Sequence, residues 1–262
     1  MNDQIIGLRD WFATPPGRYL LAWERAQLDQ AVVDIFGYHA LQLGLAELDG
    51  LSANRMPHRW LATATPSPLA EFVTDFSALP FAASSLDLVV LPHTLELARD
   101  PHACLREVER VLVPEGRVVI CGLNPVSLWG LRQRRAHVYR WLGFGKPFLP
   151  QKEFIGYWRL RDWLRLLGFE VEVGRFGCYQ PAFTGDKWLP HFAWLDRLGA
   201  RCWPILGAVY FLVAVKRVRG VTLLSPAWRT RKAVATAPAS IAGSSTLHHS
   251  DTIVNTSRGE PD

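Results

Sequence analysis

The chain has 262 residues, 49% hydrophobic and 20% charged, and 29 Lys+Arg against 24 Asp+Glu give a formal net charge of +5. This composition excludes a disordered chain and a collagen-like or repeat array, and the length allows one large domain with extensions or two small ones. Four cysteines, Cys104, Cys121, Cys178 and Cys202, show neither CxxC nor CxxxxC spacing, so no zinc site or redox pair is signalled, and buried thiols in a reducing cytoplasm are expected. Asp3, Arg9 and Asp10 stand where a signal peptide carries a basic and then an apolar run.

Taken in chain order, residues 18–36 place Leu20, Leu21, Ala26 or Leu28, Val32 and Ile35 at helical spacing, with Gly37 as a stop. Short apolar runs closed by turn residues follow: Ala40 to Leu43, Arg59 to Ala62, Phe72 and Val73, Leu86 to Leu91, and Arg117 to Cys121. Between the last two, Pro101 to Leu112 reads as a helix opened by an Asp100-Pro101 cap. Strands alternating with helices predict βαβ units and a parallel sheet. A basic segment from Asn124 to Lys152 has no acidic residue, a helical pattern covers Lys152 to Leu167 and stops at Gly168, and Phe169 to Val173 alternates as a strand. The most apolar stretch, Pro204 to Val215, is too short for the ~20 residues that a membrane helix needs and reads as a buried strand. It pairs best with Phe169 to Val173 as an antiparallel sheet edge. From Val221 the chain is poor in large apolar residues, and a disordered tail is expected over 221–262.

The segment Asp75 to Gly122 contains Leu79-Pro80-Phe81, Ser85-Leu86-Asp87, Leu105-Arg106-Glu107, Arg110-Val111-Leu112 and Pro114-Glu115-Gly116, in that order. It resembles class I S-adenosylmethionine-dependent methyltransferases, specifically the type-11 methyltransferase domain. The resemblance implies a Rossmann-like α/β fold, a seven-stranded mostly parallel sheet here carrying an N-terminal helical extension. It also implies S-adenosyl-L-methionine as cofactor. The expected division is 1–37 helical extension, 38–125 cofactor-binding half and 126–220 substrate-side half. Asp75 falls at the carboxyl end of a parallel strand, where such sheets bind ligands, although a turn or cap role is the plainer alternative. Pro114-Glu115-Gly116 reads as a turn with Gly116 suited to positive φ.

The family's first motif, an acidic residue and three alternate glycines, aligns with Gln42-Leu43-Gly44-Leu45-Ala46-Glu47-Leu48, where only Gly44 survives. The acidic residue that the family places after strand two is also missing, leaving Thr63 or Thr65 as neutral oxygens. A hydrogen bond to a charged group contributes about 1.5–3 kcal/mol against about 1 for a neutral pair, so two such losses weaken affinity tenfold to several hundredfold.

The resemblance thus places Gly44, Leu45, Asp75, Phe76, Pro92 and His93 at the cofactor. His93 is also the candidate catalytic base, with a packing or capping role as the alternative. Asn124 and Trp129, in Gly122 to Arg132, belong to a loop on the substrate side or to a turn with a core plug. The run Arg132 to Lys152 with Tyr139, Trp141, Phe144 and Phe148 suits phosphates of nucleic acid or lipid, or is a solvated helix face. His191 and the pair His248-His249 give no metal pattern. Three functions follow: methyl transfer to a small or medium acceptor, a methyltransferase fold that serves as a binding or regulatory module without catalysis, or, on the Arg132 to Lys152 run alone, a nucleic-acid-binding accessory.

Overall fold

The computed structural model of the protein describes residues 11–141, 154–180 and 193–217. The helix named α1 spans Pro15–Val32. Thr14 caps it, accepting from Gly17 N at 3.4 Å, and Pro15 and Pro16 suit the first turn because their missing N–H groups would lack partners there anyway. The helix therefore starts three residues before the expected 18–36 and ends four short of it. Its buried stripe is Leu20, Glu24, Leu28 and Val32, a four-residue period with a carboxylate in an otherwise apolar row.

Seven strands follow: β1 (His39–Leu43), β2 (His58–Thr63), β3 (Phe72–Val73), β4 (Leu86–Pro92), β5 (Leu112–Leu123), β6 (Phe169–Gly177) and β7 (Val209–Lys216). They form one sheet in the order β3-β2-β1-β4-β5-β7-β6. The first five pair in parallel, and β7 lies antiparallel between β5 and β6, as the long excursion before Pro204 predicts. Helices α2 (Thr94–Leu97), α3 (Pro101–Val111), α4 (Leu128–Trp141), α5 (Tyr157–Leu166) and α6 (Ala193–Cys202) complete the fold.

Alternate residues of the central strands enter two cores. Leu88, Val90, Val119, Cys121, Phe211 and Val213 pack with α1, while Val89, Leu91, Val118, Ile120 and Leu212 pack with Leu105 and Val108 of α3 and Leu160 and Leu164 of α5. Burial on both faces explains why these strands read as continuous apolar runs.

Asp100 caps α3 as predicted, Oδ1 accepting from His102 N at 2.9 Å and Ala103 N at 3.0 Å. Asp87, at the start of β4, accepts from Tyr38 N at 2.8 Å and His39 N at 2.9 Å and so sets β1 against β4. Two local expectations need correcting. The positive φ in Pro114-Glu115-Gly116 belongs to Glu115, at 64°; Gly116 serves instead because a Cβ there would stand 2.9 Å from the Val113 carbonyl oxygen. The helix expected from Lys152 begins at Tyr157, and Lys152 itself lies outside the described residues. So do 142–151 of the basic run, His191 and the expected tail 221–262.

Between β1 and β2 the described chain makes turns over 44–57 without a helix. This short crossover changes the floor of the site.

Candidate functional site

The carboxyl ends of β1, β2 and β3, with the chain joining α2 to α3, enclose a cleft of about 660 Å³. Its volume is within the ~300–1,000 Å³ range of small-molecule sites, and its place is where open α/β sheets bind ligands. Its walls are Gly44 to Glu47 after β1, Thr63 to Ser67 after β2, Val73 to Ser77 at β3, and Leu97 to Asp100 with Ala103 and Cys104. Gly44, Leu45, Asp75 and Phe76 thus lie together in this cleft.

Gly44 adopts φ +100°, a conformation that costs L side chains strain. Its N–H donates to Ala62 O at 2.8 Å, and a Cβ would stand 2.9 Å from Thr94 Oγ1. Gln42, at the position where the family carries a carboxylate, is buried beneath the loop. Its Nε2 donates to Leu45 O at 2.7 Å and Leu48 O at 2.6 Å, and its Oε1 accepts from Gly50 N at 2.8 Å. A carboxylate offers no donor for those two carbonyls, so this loop is built around an amide.

Asp75 follows β3 and is exposed to the cleft; its Oδ1 accepts from Ser77 N at 3.0 Å and Ser77 Oγ at 2.8 Å. Those two hydrogen bonds, the backbone one foremost, and more weakly Arg99 hold its carboxyl below the usual range. Thr63 donates to Thr65 O at 2.7 Å, closing the end of β2 with a neutral hydroxyl. Glu47, Arg99 and Asp100 also line the cleft, and sequence reasoning did not assign them. Glu47 falls on a spacer position of the degenerate motif, and Asp100 is hidden by its cap role. Cys104, in the same wall, has its thiol pushed up to about 12, chiefly by burial.

Two predicted residues lie elsewhere. Pro92 and His93 are buried and absent from the cleft lining, which corrects the expectation that His93 faces it. The His93 ring is fully buried between two carboxylates, Nε2 standing 2.9 Å from Glu24 Oε1 and Nδ1 2.9 Å from Glu96 Oε2. Glu96 Oε1 also accepts from Leu123 N at 2.6 Å. Burial works against a charged ring, but the adjacent Glu24 and Glu96 outweigh it and push the His93 pKa up to about 10. A ring that keeps its proton at neutral pH is not a general base. The reason for the misplacement is α1: its Glu24 reaches over the end of β4, and the Phe12 ring packs 5.8 Å from His93.

Asn124 and Trp129 are buried too. Asn124 Nδ2 donates to Ile205 O at 2.7 Å and Gly207 O at 2.8 Å, and Trp129 Nε1 donates to Gln180 O at 2.8 Å. Of the two readings of this loop, the geometry matches the turn and core plug. Among the described residues no group of His, Cys, Asp and Glu has the arrangement to hold a metal ion, and no helix is long and apolar enough to cross a membrane.

The strand order 3-2-1-4-5-7-6, with a cleft over the carboxyl ends of the first strands, has counterparts among known proteins. The family model described as a methyltransferase domain matches residues 40–120. A chain of the complex between the Haloferax volcanii Trm112 methyltransferase activator and a methyltransferase superposes with TM-score 0.53 at 19% identity, covering 83% of this chain and 99% of that one. A SAM-dependent methyltransferase from Archaeoglobus fulgidus does so with TM-score 0.52 at 16% identity, covering 75% and 94%. Residues 40–120 thus form a methyltransferase domain, on a chain with the fold of class I methyltransferases. The chain is also similar to the uncharacterized protein YafS of Escherichia coli, 35% identical over 215 residues, which cover 81% of this chain and 82% of that protein.

Proposed function

We propose that the protein binds S-adenosyl-L-methionine in the cleft of about 660 Å³ and transfers its methyl group to a small or medium acceptor. The observation that carries this reading is the charge and shape of the lining. Glu47, Asp75 and Asp100 stand against the single Arg99 among the lining residues, which favours a ligand bearing a sulfonium and an ammonium. Leu45, Val73, Phe76 and Leu97 offer apolar surface for a flat base, and Gly44 lets backbone approach closely. Residues 38–125 then serve as the cofactor half and 126–220 as the acceptor half.

When bound, the cofactor supplies an electrophilic methyl group on a sulfonium that leaves with the S–C electron pair. The chain's part is alignment and exclusion of water. Gln42 holds the 44–50 loop in shape from below, and Asp75, its carboxyl held below the usual range by the Ser77 hydrogen bonds, places a negative charge at the β3 end of the cleft.

Gln42, Ala46 and Leu48 in place of the family's acid and glycines favour a second reading, a binding module that has given up catalysis. Ultraviolet crosslinking with methyl-tritiated S-adenosylmethionine and peptide mapping separates the two. Label on 44–47 or 73–77 supports the first reading; no label, or label only elsewhere, supports the second.

A further inference from the structure

Large apolar side chains face water where β5 and β6 end and β7 begins. Among the described residues, Val126, Leu128, Leu131, Trp194, Trp203 and Ile205 are each between 45% and 59% exposed. Scattered singly, such residues need no explanation, but these six sit on segments bonded to one another. Asn124 accepts from Val126 N at 3.1 Å and donates to Ile205 O at 2.7 Å, which joins the start of α4 to the turn Pro204–Leu206. Trp129 of α4 donates to Gln180 O at 2.8 Å, and Gln180 donates to Asp196 of α6, also at 2.8 Å. The buried Asn124, Ser127 and Trp129 hold these segments from within and leave Val126, Leu128 and Leu131 outward. Because β1 to β5 run parallel, the patch lies on the same carboxyl edge of the sheet as the cleft, on the far side of β4.

The charge around this patch has one sign. Arg132 and Arg134 of α4 and Arg201 of α6 are exposed, and α4 contains no acidic residue. The carboxylate of α6, Asp196, is turned inward, accepting from the Tyr19 hydroxyl, from Tyr179 N at 3.0 Å and from Gln180. We propose that this face docks on the surface of an anionic phospholipid bilayer; the inference goes beyond the cofactor reading and does not need it. Tryptophan and aliphatic side chains flanked by arginines suit the boundary between headgroups and acyl chains, and a negative lipid surface attracts clustered cations. The same features disfavour other occupants. A second copy bound about a two-fold axis would bring the arginines of one face against those of the other. A nucleic acid would meet the cations but give Val126, Leu128, Leu131 and Ile205 no apolar partner.

The test is co-sedimentation of the full chain with phosphatidylcholine vesicles and with vesicles in which about a third of the lipid is anionic phosphatidylglycerol. Wild type is expected to partition about tenfold more strongly onto the anionic vesicles, and the preference is expected to shrink severalfold at about 0.5 M salt, where screening shortens the reach of the arginines. Leu128→Ser with Trp203→Ser is expected to weaken partitioning about tenfold, and Arg134→Glu with Arg201→Glu to erase the preference for anionic lipid. All four side chains are exposed, so melting temperatures are expected within about 2 °C of wild type; Val126→Ser with Ile205→Ser is read in the same way if the first pair melts lower. Phe36→Ser, exposed before β1 at the opposite edge of the sheet, is expected to bind as wild type. Absence of wild-type binding, equal partitioning onto both vesicles, or partitioning that the face variants leave unchanged overturns the proposal. A wild-type dimer in sedimentation velocity that Leu128→Ser with Trp203→Ser dissociates assigns the face to a second copy and overturns it too.

Discussion

Glu24 of α1 and His93 at the end of β4 bring a carboxylate oxygen and a ring nitrogen to 2.9 Å with both side chains fully buried, and this contact makes stability depend on pH. The folded His93 keeps its proton to about 10, while the unfolded ring loses it near 6.5. Its contribution is complete below about pH 6.5 and is lost as the pH rises through about 10, at up to about 1.4 kcal/mol per pH unit where the states differ by one proton. Glu96, pushed up by burial, adds the same sign from lower pH. The other titratable groups around the cluster, Cys121, Cys178 and Tyr210, are all pushed up, chiefly by burial, and stay neutral through this range. Melting temperature is expected to fall steadily from pH 6.5 to 10, and His93→Gln is expected to flatten that slope. Calorimetric scans across the range check both.

Restoring the family's carboxylate at position 42 is expected to harm the protein. Gln42→Glu removes the two donors to Leu45 O and Leu48 O and leaves buried carbonyls facing an acceptor. The substitution is expected to cost about 2–5 kcal/mol and to weaken S-adenosylhomocysteine binding tenfold or more, measured by denaturant melts and calorimetry.

Gly44→Ala places a methyl group at φ +100° and 2.9 Å from Thr94 Oγ1. The backbone strain alone is about 1–3 kcal/mol. Lower stability together with weaker cofactor affinity is expected from the same melts and titrations, because the same residue forms the cleft wall.

Asn124→Ala separates structure from site. It strips the donors from the Ile205 and Gly207 carbonyls and is expected to cost about 1–3 kcal/mol, with S-adenosylhomocysteine affinity unchanged. An affinity loss larger than threefold in the folded variant would return Asn124 to the ligand site.

The strand runs along the chain, the Asp100 cap and the position of Asp75 after a parallel strand were legible because each is written in adjacent residues: apolar runs, an Asp-Pro pair, an ordered motif from Asp75 to Gly122. The buried cluster was not, because its partners are joined only by the packing of α1 over the strand ends. A signal existed in the stripe Leu20, Glu24, Leu28, Val32, where an acidic residue on an apolar row requires a buried partner. Nothing local names His93 as that partner. Gln42 illustrates the same limit, since its role depends on which loop atoms turn inward, and Glu47 faces the cleft only because the 44–57 crossover forms turns instead of a helix.

The central claim, that this cleft holds S-adenosylmethionine despite its altered first motif, is tested most directly by calorimetric titration of the full chain with S-adenosylmethionine and S-adenosylhomocysteine. Micromolar dissociation constants that weaken in Asp75→Ala are the predicted result. No heat, and no thermal stabilisation at millimolar ligand, where a hundredfold excess over Kd contributes about 2.7 kcal/mol, would contradict it.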